Sequence, residues 1–265
     1  MPSPRIIAII PARYGSTRFP GKPLHPLAGK PLIQRVWERC MACSGLARVL
    51  IATDDERILR AAEGFGAEAC LTSPDHPSGT DRIAEAAERD PEATHIINVQ
   101  GDEPILSPAL IDELAARLAA DPSIGMITAV HPLHDPALLH DPNVVKAVLD
   151  TEKRALYFSR SPLPYPRNPQ PGFPVWRHMG LYGYSREFLQ TFVAWPPSAL
   201  ELTEGLEQLR ALENGARIHC VVTHHDSPGV DTPEQAADME RRLWAMEEME
   251  SGAPPKTTGT GAFTP

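Results

Sequence analysis

The sequence predicts an α/β protein built on a doubly wound, mostly parallel sheet. Three observations carry this. Short apolar runs alternate with helix-period segments through the first 130 residues. Most of those runs have little polar interruption, as strands covered on both faces require. A loop rich in glycine and cations follows the first run, where such sheets place their ligands, beyond the carboxyl ends of the strands.

The strands expected in this half are Ile6–Ile10, Val49–Thr53, Ile96–Val99 and Met126–Val130. Helices are expected at about 31–43, 55–64, 80–89 and 108–119. Pro31 suits a first helical turn, and Ser107-Pro108 supplies a cap followed by proline at the first helical position. Beyond 130 the pattern changes to strand-like segments at 144–149 and 154–159, then a proline-rich loop or arm from Pro162 to Pro174. A strand near 178–184, helices near 185–193 and 201–213, a strand at 217–223 and a helix from Pro233 complete the expectation. Residues 1–250 read as one domain, with about 125–185 as a smaller mixed-sheet subregion. The tail 251–265 offers little to bury and is expected to be disordered.

At 265 residues the chain can bury a full core. Its 42% hydrophobic and 22% charged composition is that of an ordinary globular enzyme. A net charge of -9 argues against a nucleic-acid binder, and no segment approaches the ~18 apolar residues of a membrane span. The first apolar run, Arg5 to Ile10, leads straight into a loop and has no cleavable signal architecture, so the expected location is the cytoplasm. Cys40 and Cys43 form a C-x-x-C inside the predicted first helix, but no second pair completes a tetrahedral site, so plain reduced cysteines are expected. His224-His225-Asp226 reads as a loop, and His131, His134 and His140 as surface residues.

The loop PARYGSTRFPGKP at 11–23 carries the chemistry. Gly15 and Gly21 allow close backbone approach, and Arg13, Arg18 and Lys22 supply three cations, a set suited to a triphosphate. It is not a Walker A loop, because Pro23 stands where Ser or Thr would hold the metal. Asp102, just after a strand, and Asp231, in GVDTP, are the candidate metal carboxylates. Asp231-Thr232-Pro233 reads equally well as a helix start with Asp231 as its cap.

PARYGSTRFPGKPL closely resembles the signature of the 3-deoxy-manno-octulosonate (Kdo) cytidylyltransferases, the CMP-Kdo synthetases. The resemblance continues in IATDD at 51–55, SGTDRIAEA at 78–86, NVQGDEP at 98–104, YFSRSPLP at 157–164, RHMGLYGY at 177–184, LEQLRAL at 206–212 and GVDTPE at 229–234. It implies a sheet of nucleotidyltransferase type with a dimerisation arm, Mg2+ held by Asp102 and Asp231, and CTP and Kdo as substrates. It places Ala12, Arg13, Gly15, Ser16, Arg18, Lys22, Ser78, Gly79, Thr80, Arg82 and Gln100 at the nucleotide. Arg13 and Lys22 join the two aspartates in catalysis, and Arg160, His178, Tyr182, Glu207 and Gln208 face the sugar. Glu207 and Gln208 are expected on an amphipathic helix, and His178 also fits a core histidine. The implied activity transfers CMP from CTP to Kdo for lipopolysaccharide synthesis in a homodimer. A sialate cytidylyltransferase would share the phosphate loop, but RHMGLYGY and LEQLR favour Kdo. A metal-dependent glycosyltransferase would need a D-x-D motif where QGDEP stands, and the intact Lys22, Asp102 and Asp231 argue against a non-catalytic nucleotide sensor.

Overall fold

β1 (Ile6–Ala12) is apolar along its length and sits between two parallel neighbours, pairing Ala8 with Val49 on one side and with Ile97 on the other. A computed structural model describes residues 4–15, 18–168, 170 and 172–251. Ser16 therefore lies outside the described residues, as does the expected disordered tail except for Ser251.

After β1 come a short hairpin, β2 (Pro26–Leu27) and β3 (Lys30–Pro31), then α1 (Leu32–Met41), β4 (Arg48–Thr53), α2 (Glu56–Gly64), β5 (Glu68–Leu71), α3 (Gly79–Ala87) and β6 (His95–Asn98). They are followed by α4 (Pro108–Ala120), β7 (Met126–Pro132), α5 (Pro136–His140), β8 (Lys146–Leu149), β9 (Ala155–Ser159) and β10 (Trp176–Ser185). α6 (Arg186–Ala194), α7 (Ala199–Glu204), α8 (Leu209–Glu213), β11 (Ile218–Val222) and α9 (Pro233–Ser251) complete the chain. The main sheet has the order β11-β7-β10-β6-β1-β4-β5, with β8 and β9 added beside the start of β10. Along that path β10 alone runs against its neighbours, so the expected mostly parallel, doubly wound sheet is present.

Period-two alternation in β1 divides the core. Ile6, Ala8 and Ile10 face a layer that includes Ile33 and Val36 of α1, Ile58 of α2 and Leu110 and Leu114 of α4. Ile7 and Ile9 face the opposite layer, with Ile83 of α3, Leu189 and Phe192 of α6 and Leu209 of α8. A third cluster packs Ala236, Met239 and Leu243 of α9 against Phe19, Leu27 and Leu32. Arg35 of α1 locks it: Nε donates to Leu27 O (3.1 Å), and Nη1 pairs with Glu247 of α9 at 2.6 Å.

The structure departs from the sequence reading in identifiable places. β5 was not expected; it is an edge strand with only Cys70 buried, too mixed a pattern to stand out. α5, with no buried residue, has no apolar face to betray it. The expected helix 201–213 is two helices, because Gly205 takes a left-handed conformation (φ 62°) and ends α7. α9 runs one residue into the predicted tail. α1 stops at Met41, so Cys43 lies just past it; all four cysteines are free thiols, and burial pushes Cys43 up to about 12.

β10 carries the irregularity that matters most. Met179 pairs with Ala129 and Tyr182 with Thr128, which leaves Gly180 and Leu181 as an insertion. The buried Thr128 hydroxyl donates to Leu181 O at 2.8 Å, with Met179 O and His178 Nε2 each 3.2 Å away. Thr128→Val keeps the shape and removes that donor. It should cost about 1–3 kcal/mol, the usual penalty for an orphaned buried partner, as read by urea denaturation.

Candidate active site

A cleft of about 340 Å3 opens beyond the carboxyl ends of β1 and β6. Among its lining residues are Ala12, Arg13, Arg18, Lys22, Ser78, Gly79, Arg82, Gln100, Asp102 and Asp231. The loop after β1 is closed on itself by Gly21 N donating to Tyr14 O at 3.0 Å, and a short 3-10 turn, Lys22–Leu24, follows. That turn aims the Lys22 ammonium inward. Its Nζ lies 2.8 Å from Asp102 Oδ2 and 3.0 Å from Asp231 Oδ1, while Arg18 Nη2 reaches Asp231 Oδ2 at 3.4 Å. Burial alone would lower the Lys22 pKa, but Asp102 and then Asp231 outweigh it and raise it, so the ammonium is charged.

The two aspartates meet because their loops are stitched together: Val230 N donates to Asp102 O at 2.9 Å. The capping alternative for Asp231 falls to its neighbour, since Thr232 Oγ1 accepts from Gln235 N. Gly101 leaves no room for a side chain, as a Cβ there would lie 2.9 Å from Pro11 O. Ser78 both lines the cleft and caps α3, accepting from Thr80 N (3.1 Å) and Asp81 N (3.2 Å). The positive end of that helix thereby faces the cleft. Arg82 is almost fully buried and is held by Asp54 at 2.9 Å.

The donor set fits Mg2+: hard carboxylate oxygens converge on one point already favourable to a cation. No group of three or more His, Cys, Asp or Glu able to hold a metal occurs among the described residues. Mg2+ typically takes only one or two protein carboxylates and completes its shell with phosphate oxygens and water.

The residues assigned to the sugar do not line this cleft; Glu207, His178 and Tyr182, each half-buried, and the buried Gln208 form a second polar group beside it. The two are joined by Thr80, whose hydroxyl donates to Glu207 Oε2 at 2.6 Å. Glu207 and Gln208 do not lie on a helix face as expected. They occupy the break between α7 and α8 that Gly205 creates, and the break turns both inward. Glu207 Oε1 and Gln208 Nε2 are buried atoms without a hydrogen-bond partner among the described residues, although Glu207 Oε1 lies 3.9 Å from Arg210 Nη2. The Glu207 pKa is raised, chiefly by burial. His178 packs edge-on against Phe158 (5.0 Å between centroids) and beside Tyr182 (5.3 Å). Arg160 is engaged elsewhere: Nε donates to Glu204 O (2.7 Å), Nη1 to Pro142 O (2.8 Å) and Nη2 to Gly205 O (3.4 Å). Gly15 is exposed on the phosphate loop outside the cleft lining.

The sequence singles out Glu103 beside Asp102 but leaves open whether it supports the site or is merely solvated; the structure removes the solvated reading. Glu103 is buried behind Asp102, and burial, then the charge of Asp102, push its carboxyl up to about 8. Its signal was present in QGDEP, where a second acid stands beside the first with no cation nearby.

A glycine-cation loop at the switch point of a doubly wound sheet, facing a carboxylate pair, is the arrangement a nucleotidyltransferase requires, and similarity to known proteins places the chain in that class. The cytidylyltransferase family profile matches residues 7–218. The chain is 52% identical over 247 residues to the 3-deoxy-manno-octulosonate cytidylyltransferase of Pseudomonas syringae pv. syringae, covering 89% of this chain and 96% of that one. It is 51% identical over 251 residues to that of Geobacter sulfurreducens, covering 90% and 98%. The chain belongs to the 3-deoxy-manno-octulosonate cytidylyltransferase family. Its fold superposes with TM-score 0.87 and 42% identity on a CMP:2-keto-3-deoxy-manno-octonic acid synthetase complexed with CTP, over 92% of this chain and 99% of that one. A 4-diphosphocytidyl-2C-methyl-D-erythritol synthase from Anaerococcus prevotii, at 12% identity and TM-score 0.62 over 91% of this chain and 96% of that one, shares the fold.

His178 gives a pH signature. Burial pushes its imidazole down to about 3. Between that value and about 6.5 the unfolded chain binds a proton that the native state refuses. Stability is therefore fully present above about pH 6.5 and is lost as pH falls, with a slope approaching ~1.4 kcal/mol per pH unit for one such group. Denaturant titrations at pH 7 and pH 5 should show a smaller loss for His178→Gln than for the wild type.

Proposed function

We propose that the protein transfers CMP from CTP to Kdo, releasing pyrophosphate and giving CMP-Kdo for lipopolysaccharide synthesis, with Mg2+ held by Asp102 and Asp231. The observation that carries this reading is the convergence of Lys22, Asp102 and Asp231 in the cleft, beside a second polar group that holds buried atoms without a hydrogen-bond partner. Arg13, Arg18 and Lys22 bind the triphosphate and neutralise the charge that builds on its oxygens. When bound, Mg2+ supplies further positive charge to the same oxygens. Ser78, Gly79 and Gln100 line the cleft where the base is read, and Arg82 and Thr80 hold that wall in place.

Glu207 Oε1, which faces Arg210 Nη2 at 3.9 Å without a hydrogen bond, and Gln208 Nε2, a buried donor without an acceptor among the described residues, suit the hydroxyls of an acid sugar. With His178 and Tyr182 they hold Kdo so that its C2 hydroxyl lies in line with the α-phosphorus. Arg160, just after β9, ties that strand to the end of α7 through Glu204 and Gly205 next to these residues. No helix among the described residues is long and apolar enough to cross a membrane, in keeping with a cytoplasmic assignment. The segment at about 125–185, which includes β8 and β9, is the part assigned to a homodimer, and Leu156 and Phe173 within it are exposed.

Pyrophosphate release from CTP should require both Mg2+ and Kdo, and sialic acid should be a poor substitute. Activity with CTP and no dependence on Kdo would sink the proposal. Asp102→Asn should lower turnover on the order of 10²-fold or more while circular dichroism stays unchanged. Gln208→Ala should lower kcat/KM for Kdo about 5- to 150-fold, corresponding to the loss of one buried polar contact, with CTP binding measured without sugar nearly unaltered.

A further inference from the structure

Lys22 does more in this structure than wait for phosphates. Its ammonium lies within 3.0 Å of an oxygen of each aspartate, at the point where a metal's charge would be needed. The Val230–Asp102 backbone bond holds the two loops together and so limits how far the carboxylates can separate. Arg18 approaches Asp231 from outside at 3.4 Å, but its side chain is largely exposed while that of Lys22 is 15% exposed. The backbone beneath Lys22 is fixed by Lys22 N donating to Phe19 O and by His25 N donating to Lys22 O. Its flexible four-carbon stem can therefore move the ammonium without disturbing the loop.

We propose that Lys22 is the resident counter-cation of the Asp102–Asp231 pair in the nucleotide-free protein, and that the triphosphate draws it off and so opens the pair to the metal. Two cations cannot share the space between two carboxylates, so Lys22 and Mg2+ compete for it. A triphosphate offers the ammonium charge-assisted hydrogen bonds of equal quality, and Lys22 stays paired after it moves. Nucleotide and metal binding are then coupled, each favouring the other, without any third protein ligand. The metal is thereby kept from occupying an empty site. This inference rests on the metal-dependent reading given above and adds an order of binding to it.

The test is calorimetric titration of Mg2+ into the protein without nucleotide. Lys22→Met should bind Mg2+ about tenfold or more tightly than the wild type, because a competing charge has been removed. Lys22→Arg, which keeps the charge, should stay near the wild type. In EDTA the thermal midpoint of Lys22→Met should fall below that of the wild type, and Mg2+ should raise it by more. Lys22→Gln should behave like Lys22→Met and serves in its place if that variant does not fold. Equal Mg2+ affinities for wild type and the uncharged variants would overturn the inference, as would tight Mg2+ binding by the nucleotide-free wild type. If wild-type turnover stays EDTA-sensitive under either result, the metal reading survives and only the role of Lys22 is lost. Turnover insensitive to EDTA would remove the metal reading itself.

Discussion

Two carboxylates held side by side repel, and the active half of this molecule is organised around the cation that prevents it. Lys22 bonds to Asp102 across 80 residues of chain and to Asp231 across 209. Each arm of this contact has its own support. Lys22 stands on a turn closed by Gly21 and Tyr14, Asp102 follows a glycine that fits only because it lacks a side chain, and Asp231 precedes a helix capped by Thr232. α9 reaches back over the β2–β3 hairpin, where Glu240 accepts from Ala28 N at 2.9 Å and Glu247 meets Arg35. Without that anchoring Asp231 would have no reason to return to the loop after β1.

The polar group beside the cleft rests on a different constraint, the satisfaction of buried polar atoms. The insertion at Gly180 and Leu181 is held by the Thr128 hydroxyl and brings β10 close under the cleft floor, where Gly180 approaches Gln100. Gly205 breaks a helix that sequence periodicity would have continued, and the break turns Glu207 and Gln208 inward. Arg210, one turn further on, pairs with Glu201 at 2.6 Å and keeps the two short helices packed across that break. The carbonyl partners of Arg160 belong to the same frame. Arg160, expected to face the sugar, thus also ties together the segments around Glu207 and Gln208.

Much of this was legible in the sequence, because the signals involved are local. Uninterrupted apolar runs marked β1, β4, β6 and β7, and helix periods with proline and serine starts marked α1 to α4 within a few residues. The glycine-cation loop and Asp102 could be placed at the carboxyl edge of the sheet from strand order alone. β5 and α5 were not visible because edge position and full exposure leave no apolar pattern to read. Glu103 could be named only as the neighbour of Asp102, since its burial is produced by segments distant in sequence, Gly180 and the loop before α9 among them.

By itself, then, the sequence determined the order and kind of most of the elements, the glycines and cations of the loop after β1 and the identity of the acids around it. Those follow from spacing, backbone conformational preference and side-chain type within a few residues. The tertiary structure decided that β10 runs antiparallel and carries an insertion. It decided that Thr232 rather than Asp231 caps α9, that Glu207 and Gln208 face inward from a helix break, and that Lys22 closes on both aspartates. Each of these is a matter of burial or charge pairing between segments far apart in the chain, and such terms take their value only once the chain has folded around them.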